Sequence, residues 1–85
     1  MRPRKLLRRI SGGNYANVRF VDLVRLIEAC DFELVRVSGS HHIFAHSDVP
    51  GLVNLQELAG TAKPYQVRQV LRLLERYDLQ PEADS

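Results

Sequence analysis

The stretch from Phe32 to His46 limits the possible folds more than any other part of this chain. Phe32-Glu33-Leu34-Val35-Arg36-Val37 and His41-His42-Ile43-Phe44-Ala45-His46 are both rich in β-formers. Only Ser38-Gly39-Ser40 separates them, so they read as two strands of one antiparallel hairpin over 32–37 and 41–46. Ser47-Asp48-Val49-Pro50-Gly51 is a further turn signal, and Leu52 to Gln56 reads as a third short strand.

The periodicity changes on both sides of these strands. Phe20, Leu23, Val24, Ile27 and Cys30 recur at helical spacing, which predicts an amphipathic helix over 19–30 with Asn17 as its N-cap. Leu58 to Ala62 reads as a loop. Pro64 suits a helix's first turn, and Val67, Val70, Leu71, Leu74 and Tyr77 then form one apolar stripe. Arg68, Arg72 and Arg76 fall on the other side of that helix. The fold class is therefore α+β in the order α-β-β-β-α: a three-stranded antiparallel sheet with two helices on one face and the other face open. A double-stranded-RNA-binding domain has the same order. Residues 4–10 can make one or two helical turns before Gly12 and Gly13. The division expected is a basic N-terminal arm (1–18), the folded domain (19–79) and an acidic flexible tail (80–85).

Charge is placed unevenly. Arg2, Arg4, Lys5, Arg8 and Arg9 have no acid among them, and Asp78, Glu82 and Asp84 have no base. Between Arg19 and Tyr77 seven basic side chains meet seven acidic ones, so the overall +2 does not itself argue for a nucleic-acid partner. Cys30, the single cysteine, lies in the apolar helical pattern and reads as a small buried hydrophobe. No apolar run is long enough to cross a bilayer, and no secretory apolar stretch follows the basic start. These features point to a soluble cytoplasmic protein.

The run FELVRVSGSHHIF, followed by VNLQELAGTAKPYQVRQVLRLLERYDL, resembles the HicA (YcfA-like) toxin family from about Phe20 to Leu79. Gly39-Ser40-His41, opening the second strand, is the most specific part, and TAKPYQVRQ supports it. The resemblance implies a domain similar to the double-stranded-RNA-binding fold. It implies a toxin of a toxin–antitoxin system that cleaves mRNA without a metal and is neutralised by a HicB-type antitoxin. The family's catalytic histidine follows Gly-Ser, which carries the role to His41 and not to His42. Three departures stand out. Asp31 occupies the helix end where many members have Gly, and Leu55-Gln56-Glu57 replaces a Pro-x-His near the third strand. The basic N-terminal segment is also longer than a minimal member needs.

RNA carries its own nucleophile, the 2′-hydroxyl, so a metal-free ribonuclease needs a base, an acid and cations beside the phosphate. Histidine titrates near neutrality and can serve as base or acid. His41 and His42 point to opposite faces of a strand, so they cannot both reach one phosphate. His46 is too far along the strand to pair with His41 and reads as a surface residue. The second proton carrier is water, a neighbour such as Tyr65, or no specific group. Lys63 starts the last helix, where the dipole favours an anion, and Arg68 and Arg72 follow on its exposed side. Gly39 lets a phosphate approach the backbone. Ser40 belongs to the turn and is not a nucleophile paired with a base. The expected RNA contacts are Gly39, Ser40, Lys63, Arg68 and Arg72, with no metal or other cofactor. Self-association into a homo-oligomer is left open. The alternatives are a non-catalytic RNA-binding module of the double-stranded type and a pure protein-interaction domain that uses a free strand edge.

Overall fold

In a computed structural model, which describes residues 1–82, the chain runs α1 (Pro3–Ser11), β1 (Val18–Arg19), α2 (Phe20–Ala29), β2 (Glu33–Ser38), β3 (His41–His46), β4 (Val49–Gln56), β5 (Thr61–Ala62) and α3 (Pro64–Arg76). The central hairpin forms as its turn chemistry requires. Ser38 pairs with His41, so Gly39 and Ser40 alone reverse the chain. Gly39 has φ 59 and Ser40 does not share that positive φ, the Gly-first pattern of a type II′ hairpin. The three long strands are antiparallel in the order β2-β3-β4.

The third strand starts earlier than the turn signal suggests. His46 pairs with Val49 and Phe44 with Val53, so Ser47 and Asp48 form the turn and β4 absorbs Pro50 and Gly51 in an irregularity. Pro50 is tolerated because β4 lies at the sheet's edge and the ladder is already broken there. The expected loop over 58–62 is likewise tighter. Leu58 and Thr61 bond each other, and Thr61–Ala62 pairs with Val18–Arg19 as a two-stranded ladder. Two-residue strands have too few positions to show a period, which is why the sequence does not reveal them.

The strand periodicity assigns the faces. His42, Phe44, Val53 and Leu55 point toward the helices, where Phe44 and Leu55 are fully buried. From α2, Phe20, Leu23, Leu26 and Ile27 meet them, and from α3 Val67, Val70, Leu71 and Leu74. Cys30 is buried, and burial together with the Asp31 carboxylate pushes its thiol up to about 11. It stays a neutral, inert side chain at ordinary pH. Asn17, expected to cap α2, sits instead at φ 57 in the preceding turn, and Arg19 holds the N-cap position of α2 without a side-chain cap bond.

The N-terminal segment differs most from expectation. Pro3, Leu6 and Ile10 fall at i, i+3 and i+7, one stripe of a helix, and all three are buried. Leu6 and Ile10 belong to the core cluster, so α1 is a third helix of the helical layer. The start of the acidic tail is also tied back. The Glu82 N–H donates to the Ala29 carbonyl at 3.0 Å, and Arg4 donates to the Glu82 carbonyl at 3.1 Å. Residues 83–85 of the expected tail lie outside the described residues.

Candidate active site on the open sheet face

His41 opens β3 beside the Gly39-Ser40 turn, and its side chain is exposed. His42 sets the polarity of the strand, because its ring packs on Phe20 of α2 with centroids 4.8 Å apart. His41 therefore projects from the opposite, open face. Its Nδ1 lies 3.0 Å from the Asn54 side-chain oxygen. A carbonyl oxygen can only accept, so Nδ1 is the donor, and in the neutral ring Nε2 is then the acceptor. Asn54 reaches His41 because it lies on β4 opposite Ile43, two positions along from His41 on the same face.

Other groups gather around this ring by register. Gln56 stands directly across from His41, and its amide donates to the Ser40 hydroxyl at 3.4 Å. Arg36 pairs with Ile43 and Ser38 with His41, which puts the Arg36 guanidinium stem on the same open face. The first turn of α3 is fastened to this rim. The Gln56 backbone N–H donates to Oε1 of Gln66 at 3.0 Å, and Gln66 is 5 % exposed.

The other two histidines have different tasks. The His42 Nδ1 is 3.3 Å from the Ser40 carbonyl, and the residue lines a groove with Arg19, Phe20, Val24 and Glu57 on the helix side. His46 is half-buried rather than a surface residue. Its Nδ1 accepts the Asp48 N–H at 3.0 Å and its ring packs on Phe32 at 4.9 Å. Among the described residues no three His, Cys, Asp or Glu side chains converge as metal ligands.

The expected cations divide. Lys63 is the N-cap position of α3 and is exposed. Arg68 and Arg72 line a groove with Tyr15, Pro64, Tyr65 and Gln69 that does not include His41. Among the described strand residues, Arg36 is the cation that shares the face of His41. Asn54 and Arg36 were missed for one reason: both are single polar residues in apolar strands, and only the strand register shows which face they share with His41. The alternation Val53-Asn54-Leu55 was the available signal.

The family model for the HicA toxin of bacterial toxin–antitoxin systems matches residues 21–75, almost two thirds of the chain. The chain belongs to the HicA toxin family. No curated protein and no solved structure matches it at a significant level. The HicA match takes in β2, β3 and β4 whole, with Gly39, His41 and Asn54, and most of α2 and α3. It leaves out α1, β1 and Tyr15. Membership of a toxin–antitoxin family implies an antitoxin partner. No described helix is long and apolar enough to cross a membrane.

Proposed function

We propose that this HicA-family protein is a metal-independent endoribonuclease that cleaves mRNA through His41 and is neutralised by a HicB-type antitoxin. The observation that carries the reading is the exposed His41 ring, with Asn54 on Nδ1 at 3.0 Å and Nε2 open. Neutral Nε2 takes the proton of a ribose 2′-hydroxyl. The 2′-oxygen then attacks the adjoining phosphorus and the 5′-oxygen leaves, which gives a 2′,3′-cyclic phosphate and a free 5′-hydroxyl. Water supplies the proton to that leaving oxygen. Arg36, on the same face, meets the charge that develops on the phosphoryl oxygens, and Gly39 leaves the backbone N–H groups of the turn approachable. Asn54 is a positioning residue: it holds the ring and its tautomer and touches no substrate.

The test is digestion of a defined RNA by the purified protein with a chelator present. His41→Ala should slow cleavage by about 100-fold or more, the range for loss of a general base. Asn54→Ala should lower kcat by about 10-fold with KM little changed, because it acts through His41 alone. Equal cleavage by wild type and His41→Ala would overturn the reading. The groove that holds Arg68 and Arg72 apart from His41 supports a second reading, a module that binds RNA without cutting it. Salt-dependent binding by wild type with no cleavage would select that one.

A further inference from the structure

The groove that His41 does not share has its own composition. Tyr15 forms one wall, and Pro64, Tyr65, Arg68, Gln69 and Arg72 of α3 form the other, around an open volume of about 500 Å³. Tyr65 is 59 % exposed, a large aromatic ring left in water. Tyr15 is half-buried and packs against the edge of the core. The loop that carries it is pinned to α1, because the Arg9 guanidinium donates to the neighbouring Ala16 carbonyl. No acid lines the groove, and among the described residues no carboxylate pairs with Arg68 or Arg72. Glu75, three residues beyond Arg72, lines a different groove, with Leu7 and Ser11.

Exposed aromatic faces beside unpaired guanidinium groups match the two surfaces of a single nucleic-acid strand. Unstacked bases lie on aromatic rings, and the phosphates between them meet cations. In a duplex the base faces are already covered, so rings of this kind gain little from it. We propose that the Tyr15–Tyr65–Arg68–Arg72 groove is a stacking subsite for single-stranded RNA, holding the strand away from the linkage cut at His41. It rests on the ribonuclease reading for its ligand. Beyond that reading, it gives a substrate role to Tyr15, which lies outside the stretch matched by the family.

Binding is measured with a fluorescein-labelled single-stranded 12-nucleotide RNA, in a His41→Ala background that leaves the strand intact. Tyr65→Ala and Tyr15→Ala should each weaken binding about 5- to 160-fold, the value of one stacked base. Tyr65→Phe and Tyr15→Phe should keep it within about threefold, because the ring face survives and, at Tyr15, so does its packing. Arg72→Ala should reduce the slope of log affinity against log salt by about 0.7. Unlabelled duplex of the same sequence should compete less well than the single strand. Binding within twofold of the parent for both alanine variants, or preference for duplex, overturns the proposal. Wild-type cleavage in parallel separates the two readings. Cleavage with unchanged binding by the tyrosine variants sinks the groove alone; weakened binding without cleavage sinks the nuclease alone. No binding by the parent sinks the groove, and wild-type cleavage then decides the nuclease by itself.

Discussion

Asp31 and Asp78 occupy the same unusual backbone position at the ends of two helices. Asp31 has φ 72 and Asp78 φ 52. After α2 the Asp31 N–H bonds the Glu28 carbonyl and the Phe32 N–H reaches back to Ile27, at 3.0 and 3.1 Å. After α3 the Asp78 and Leu79 N–H groups repeat this with Glu75 and Leu74. Both are Schellman ends, whose left-handed residue is usually glycine. Aspartate bears the cost of its Cβ there, and its charge opposes the negative end of the helix dipole. Asp78→Gly should therefore stabilise the protein by about 0.5–1.5 kcal/mol in urea unfolding, with the m-value unchanged. Asp31→Gly should gain at least as much at neutral pH, because it also removes a like-charge neighbour of Glu82: Asp31, by a hydrogen bond that needs one proton between the two carboxyls and by its charge, pushes the Glu82 carboxyl up. The departure at Asp31 was visible in the sequence as a missing glycine, whereas its closeness to Glu82 depends on the chain returning to α2, where the Glu82 N–H bonds the Ala29 carbonyl.

At the scale of elements, the join between β4 and α3 decides whether the rim around His41 keeps its shape. Among the described residues, the side chain of Gln66, buried in the first turn of α3, is what satisfies the Gln56 backbone N–H. Gln66→Leu would keep the volume and orphan that donor, so it should cost about 1–3 kcal/mol, measured by denaturant unfolding. Gln66→Glu, which retains an acceptor, should cost less. The edge strand β2 makes a contrast. It is exposed along its whole length, with Leu34, Val35 and Val37 about half in water. The helical layer covers β3 and β4 and stops short of it, so the apolar alternation that marked β2 as a strand did not mark it as core.

Over the whole molecule, α1 joins α2 and α3 in one layer and closes the core from the N-terminal side. Ile10 is completely buried and Leu6 nearly so. Ile10→Ala should destabilise the protein by about 2–5 kcal/mol and lower its thermal midpoint accordingly. A detached basic arm would show no change in the same measurement. The elements with several turns or several alternating residues were legible from the sequence: α2, β2, β3, the later part of β4, α3, the burial of Cys30, and the exposed flank of Arg68, Arg72 and Arg76. Each has enough positions for a local period of 3.6 or 2 to emerge, and the hairpin turn is a local conformational preference of Gly39. The family of the chain was legible too, in the run around Gly39-Ser40-His41. What only the tertiary structure decided is which of these positions meet: Asn54 and Arg36 sharing a face with His41, Gln66 on Gln56, Tyr15 facing Tyr65 and Arg72, and Ile10 in the core. Those meetings follow from strand register and helix docking, which join residues far apart in the chain and leave no period within any single segment.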